Sequence, residues 1–219
     1  MDKCYMCDAD GITREHVPPL SFFPKGHRHN LFTVSSCSEH NHSNSLDVEY
    51  VRNVIVSQIS TNALARTWFQ GPALRSYQRS SGLRNQTFAK LTPVIVDGCE
   101  TGIVECDMPR FKSILNAIAY ACYFKDFGRR YARDWLIFSC SIVATEILIK
   151  GLPDPNESLR AWLQALPFTD MPTSNPEVFK YGIHIENEPE GVYGYRFEFY
   201  EGFIIQAIRK PTSSDGKTA

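Results

Sequence analysis

Between Tyr50 and Val96 the sequence has no acidic residue, although the 219-residue chain carries 24 Asp and Glu. It also lacks any apolar run long enough for a bilayer: the longest, Trp135 to Ile149, is too short and contains Glu146. The opening residues are polar and charged, which argues against a secretory signal and for a cytoplasmic protein with no membrane partner. Seven cysteines, an odd count without an export signal, argue against a disulfide framework and leave metal ligation as the better use for clustered ones. The scattered Cys99, Cys106, Cys122 and Cys140 are expected to pack in the core. There are no internal repeats or low-complexity blocks. What is present, 43% hydrophobic and 12% aromatic residues, suffices to bury a real core, as one domain or as a small domain grafted onto a larger one.

The net charge of -1 conceals a segregation along the chain. Residues 1–50 carry four Lys/Arg against seven Asp/Glu, residues 51–133 twelve against five, and residues 134–219 seven against twelve. In the acid-free stretch Arg52, Arg66, Arg75, Arg79, Arg84 and Lys90 alternate with Trp68, Phe69, Tyr77 and Phe88. A guanidinium is planar, permanently charged and suited to phosphate, so a polyanion track is one reading, with Arg66, Arg75, Arg79 and Arg84 as its contacts. A solvated helix face is the plainer alternative.

Coarse patterning predicts an α+β chain. Pro18 and Pro19 forbid a helix after His16, so Ile12 to Val17 reads as a strand, "SFFPKGHRHN" as a loop and "LFTV" (31–34) as a second strand. Asp47 is placed to cap a helix running to about Gln70, with Val51, Val54, Ile55, Ile59 and Leu64 near helical spacing. "TPVIVDG" and "TGIVECD" read as a hairpin around Asp97-Gly98, and Pro109 to Gly128 as a helix. Residues 135–149 fit a buried helix or a strand. "ESLRAWLQAL" predicts a short helix, and "KYGIHIE", "YGYRFEFY" and "GFIIQAIRK" an antiparallel meander. The expected organisation is a module over 1–70, an accessory α+β region over 71–210 and a disordered tail over 211–219.

Two short motifs carry the chemistry. Cys4-x-x-Cys7 and Cys37-x-x-His40 are half-sites with 29 residues between them, the spacing of a structural zinc site built two ligands at a time. Reduced thiols without metal are the alternative. A zinc there would pin the first residues to the start of the helix and bring the strand ending at His16 close to Asn41. Glu15-His16 lies nine residues beyond Cys7. By itself His16 could be a satisfied structural histidine; beside Glu15 and between the half-sites it reads as functional.

"C-x-x-C", "EHVPP", "NLFTV" and "C-x-x-H-N", in this order over residues 4–50, resemble the HNH endonucleases, the zinc-knuckle branch of the ββα-metal superfamily. The resemblance implies an N-terminal ββα-metal module with a structural zinc, followed by a helical region and an antiparallel sheet. It implies His16 as the general base, Glu15 and Asn41 as ligands of a catalytic Mg2+ or Mn2+, and Asn30 as the residue holding the loop that orients the histidine. His42 is the alternative metal ligand on the helix. Such chemistry is coherent: a neutral imidazole activates water, while one hard cation on oxygen donors stabilises the phosphorane and the departing 3′ oxygen.

The chain departs from the family at two points. "PKGHRH" replaces the usual hairpin glycines, and Ser45 stands where a basic residue is often found, with His27, Arg28 and His29 as candidates to replace its charge. Two functions are therefore carried forward. One is a metal-dependent endonuclease acting on DNA, with RNA left open and a homodimer allowed. By analogy it is an antiviral defence effector restrained by a partner protein; no nucleotide-binding loop occurs in this chain, so any ATPase would be that separate partner. The other is a zinc-stabilised nucleic-acid-binding or protein-docking module without catalysis.

Overall fold

A computed structural model describes residues 2–209, except 43, 44, 89, 97, 140, 141, 143–149, 151 and 187–191, and except the side chains of His42, Cys99, Val192 and Tyr193. The expected tail at 211–219 and most of 140–149 therefore lie outside the described residues.

The N-terminal part is a hairpin followed by helices. Strands β1 (Thr13–His16) and β2 (Thr33–Ser36) pair antiparallel, with Glu15 opposite Val34 and His16 opposite Thr33. The second strand starts two residues later than its sequence predicts, because Asn30 takes a left-handed turn conformation (φ 52°) before the chain straightens. Helix α1 (Ser38–His42) follows β2 directly, and α2 (Ser45–Val56) follows α1.

The continuous helix expected to run to Gln70 is instead broken at Val56. The next six residues include Ser57, Gln58, Thr61 and Asn62, whose side chains offer the backbone other hydrogen bonds. Ser57 Oγ and Gln58 Nε2 both donate to the Val54 carbonyl, and Thr61 Oγ1 donates to that of Gln58. Asn62 then caps a new helix, α3 (Ala63–Trp68), by accepting from Ala65 N. A wide turn through Gly71-Pro72 leads to α4 (Leu74–Arg79), then α5 (Ser81–Phe88) and the hairpin β3 (Thr92–Val96)/β4 (Cys99–Ile103).

Helix α6 (Met108–Phe127) is the centre of the molecule. Asp107 caps it; Pro109 fits its first turn and Gly128 ends it in the left-handed region (φ 65°), both as the sequence predicts. It buries residues around most of its circumference, including Phe111, Ile114, Leu115, Ile118, Ala119 and Cys122. One side packs on α2 and β2, the other on a five-stranded antiparallel sheet.

That sheet has the order β5-β9-β8-β7-β6, built from Trp135–Ser139, Phe203–Arg209, Val192–Phe199, Phe179–Ile185 and Thr169–Met171. Before β6 lies α7 (Glu157–Ala165). The meander expected from the sequence is therefore present, with a strand added at each edge. Alternation puts Phe179, Tyr181 and Ile183 on one face with Phe199, Phe197 and Tyr195 directly opposite them across the strand pair. Each such cross-strand aromatic pair contributes about 0.2–1 kcal/mol.

Hydrogen bonds fasten the N-terminal part to the sheet. His27 Nδ1 lies 2.6 Å from Glu177 Oε1, Ser174 Oγ donates to the Asn30 carbonyl and Asn175 Nδ2 to that of His29. Asn62 N donates to the Tyr200 carbonyl, and Ser60 approaches the β8/β9 turn so closely that a Cβ at Gly202 would lie 1.9 Å from its carbonyl oxygen. Gly202→Ala should therefore cost at least about 2 kcal/mol, since backbone must move. Gly128→Ala, which meets open space and suffers only its left-handed backbone, should cost about 1 kcal/mol. Urea denaturation midpoints of the two variants test this order; equal losses would contradict it.

Candidate metal centre and adjoining cavity

The two half-sites meet. Cys4 and Cys7 sit on a tight knuckle, in which Cys4 N donates to the Ala9 carbonyl and Gly11 N to that of Asp2. Cys37 leaves β2, and His40 lies one turn into α1. The four ligand atoms lie within 4.8 Å of one another. Cys7 Sγ is 3.8 Å from Cys37 Sγ, and His40 Nδ1 is 3.1 Å from Cys37 Sγ and 3.5 Å from Cys4 Sγ. A sulfur pair at 3.8 Å is far outside the ~2.05 Å of a disulfide. Tetrahedral zinc, with Zn–S near 2.3 Å and Zn–N near 2.0 Å, separates its ligands by about 3.5–3.8 Å. The Cys3His cluster can thus hold a metal such as zinc.

Electrostatics favour a thiolate at Cys4. Burial alone would raise the Cys4 thiol, but N–H donors from Met6, then Cys37 and Cys7, outweigh it and lower its pKa to about 6. Beside it, burial and then the negative charge of Glu15 hold the Tyr5 phenol above its ordinary range.

Next to the cluster opens a cavity of about 600 Å3. Glu15 and His16 reach it where β1 ends, His40 and Asn41 from α1, and Glu49 and Arg52 from α2. A regular strand would send Glu15 and His16 to opposite faces, yet both border the cavity at the strand terminus. Asn41 Nδ2 donates to the Arg14 carbonyl at 3.4 Å, tying α1 to β1. With the amide nitrogen so engaged, the amide oxygen is the atom left for a cation. The side chain of His42, the alternative ligand, lies outside the described residues.

Arg52, which the sequence marks only as one cation of the acid-free stretch, belongs to this cavity. It is only 9% exposed, with Trp68 beneath its guanidinium at 5.9 Å; both Nε and Nη2 donate to Asn53 Oδ1, and Nη2 reaches Glu49. Burial lowers its pKa and the charge of Glu49 opposes that shift; a guanidinium stays charged regardless. Its place on an otherwise apolar helix face, three residues after Glu49, was the available signal.

Other expected residues fall elsewhere. His27, Arg28 and His29 do not line the cavity: His27 pairs with Glu177 and Arg28 Nε donates to the Phe23 carbonyl. Asn30 borders a separate hollow of about 100 Å3 beside Lys125. Arg66, Arg75, Arg79 and Arg84 are exposed on α3, α4 and α5, outside the cavity. The aromatics among them turn inward: Trp68 and Tyr77 are buried, and Tyr77 meets Phe88 edge-on at 4.8 Å. Phe69 and Phe88 are partly buried against the core, so the stretch presents its arginines with little ring surface beside them.

Comparison with protein-family models, with curated proteins and with solved structures finds no match for this chain.

A metal held at a hundred to a thousand times its Kd stabilises a fold by about 3–4 kcal/mol. Purified protein should contain one zinc per chain by elemental analysis, and chelation should lower its melting temperature. Cys37→Ser should start from the lowered temperature and respond no further to chelator. Equal chelator responses in both proteins would refute ligation by Cys37.

Proposed function

We propose that the chain is an HNH-type metal-dependent endonuclease that hydrolyses phosphodiester bonds in DNA. The observation that carries this reading is the convergence of Glu15, His16 and Asn41 on one cavity beside the Cys3His cluster. The order of hairpin, ligand pair and helix agrees with a ββα-metal module. Within this reading zinc is scaffolding, holding β1 against α1 so that the two sets of functional side chains share a wall.

His16 accepts a proton from the attacking water. The water oxygen forms a bond to phosphorus, the P–O3′ bond breaks, the departing oxygen takes a proton from solvent water, and the products are a 5′-phosphate and a 3′-hydroxyl. Glu15 and Asn41 offer a carboxylate and an amide oxygen, the donor set a hard cation requires. When bound, Mg2+ or Mn2+ supplies charge neutralisation at phosphorus and at the departing oxygen. Arg52 adds a fixed positive charge in the same cavity, the contribution for which Ser45 is unsuited. The exposed Arg66, Arg75, Arg79 and Arg84 guide the polyanion by charge alone. Restraint by a partner protein in a defence role, an ATPase among the candidates, belongs to the same proposal by analogy.

The wild-type protein should nick supercoiled plasmid in Mg2+ or Mn2+ and not in EDTA, and His16→Ala should be at least about a hundredfold slower with its zinc content unchanged. A wild type that binds DNA and stays inactive with both cations, indistinguishable from His16→Ala, would replace the nuclease with a docking module.

A further inference from the structure

The cavity is larger and less polar than cleavage at a phosphate requires. Glu15, His16, Asn41 and Arg52 occupy only part of its wall. Much of the rest is apolar: Ile114, Ala117, Ile118 and Ala121 form a stripe along α6, Val48 faces it from α2 and the buried Tyr5 closes one side, with Ser45 and Glu49 as polar groups among them. At about 600 Å3 it lies within the roughly 300–1,000 Å3 of sites that enclose small organic ligands.

A duplex cannot use such a space. Its bases are stacked and paired inside the helix, and what it offers to a surface is phosphate and groove edges. An apolar floor would gain nothing from phosphates and would leave their charge without donors. An unstacked nucleotide carries the complementary pattern: an apolar, flat base and a charged phosphodiester one sugar away. Arg52 is suited to the second half of that pattern, since its Nε and Nη2 are held on Asn53 Oδ1 and its orientation is set before any ligand arrives.

We infer that the cavity takes an unpaired nucleotide of a DNA strand, its base on the α6 stripe and its phosphate between Arg52 and the Glu15–His16–Asn41 edge. Unpaired DNA is then the preferred substrate, which rests on the nuclease reading and specifies its substrate class. Paired DNA reaches the site only where a base can leave the stack, at a cost of a few kcal/mol. The exposed arginines of α4 and α5 follow the flanking backbone.

The test compares an end-labelled single strand, the same sequence as a blunt duplex, and that duplex with one unpaired bulge. Cleavage is followed with wild type, Ala117→Phe and Val48→Phe; both side chains are partly exposed at the cavity wall, so the added ring enters the cavity. Binding of the same DNAs to His16→Ala, with and without the added ring, is measured by fluorescence anisotropy. Zinc content and melting temperature certify each variant. Single strand and bulge should be cut at least about tenfold faster than duplex, and a ring in the cavity should slow both by about a hundredfold. Duplex cut as fast as single strand, with both ring variants fully active, would overturn the inference and leave the nuclease reading intact. No cleavage of any DNA, with single strand still bound preferentially and lost on adding the ring, would overturn the nuclease reading and leave the nucleotide pocket.

Discussion

The convergence of Cys4, Cys7, Cys37 and His40 is the constraint on which the N-terminal part depends. The strands it organises are four residues each, and a two-stranded hairpin of that size is at best marginally stable in water. Its loop, residues 17–32, contains three prolines, Pro18, Pro19 and Pro24. None can donate a backbone hydrogen bond, so the loop closes through short turns and contacts to the sheet. A metal on three sulfurs and a nitrogen would fix the knuckle, the end of β2 and the first turn of α1 in one step. Asn41 follows His40 directly, so fixing the one positions the other.

The second constraint is α6. Because it is buried on opposite sides, by α2 and β2 and by the sheet, it transmits the packing of the C-terminal half into the wall of the cavity. Ile114 and Ala121 are core residues and cavity residues at once. The sheet thus has a role beyond stability: its aromatic face supports the helix that shapes the space in front of His16. Arg110 adds a link at the other end, donating to Asp47 Oδ1 and lying over the Tyr50 ring, so that α2 and α6 keep their spacing.

The legible features were those encoded within a few residues. Cys-x-x-Cys and Cys-x-x-His each announce a ligand pair, and Pro109 and Gly128 are local signals at the two ends of α6. The alternation of β7, β8 and β9 follows from one-sided burial. What could not be read depended on contacts distant in sequence. The α6 stripe looks like any helix interior until α2 and β1 are placed across from it. Helical spacing through Ile59 and Leu64 suggested one long helix; the competing side-chain hydrogen bonds of Ser57 to Asn62 prevailed, and Ile59 is 63% exposed. The aromatics of the acid-free stretch were legible as residues but not as a face, since a helix series with changing direction has no single periodicity.

That stretch shows why composition alone ranks its arginines poorly. Arg75, Arg79 and Arg84 are exposed, where a charge contributes mainly long-range attraction that salt screens within about 10 Å. Arg52, the first of the series, is nearly buried beside Trp68 and Glu49, where screening is weak and its side chain is already ordered. Equal entries in a charge count therefore differ in kind: three exposed cations can gather a polyanion, whereas one buried cation can select the geometry of a single phosphate. The distinction arises because α2 is continuous from Ser45 to Val56 and presents Val48, Glu49 and Arg52 to the space that Glu15 and His16 enter from the hairpin.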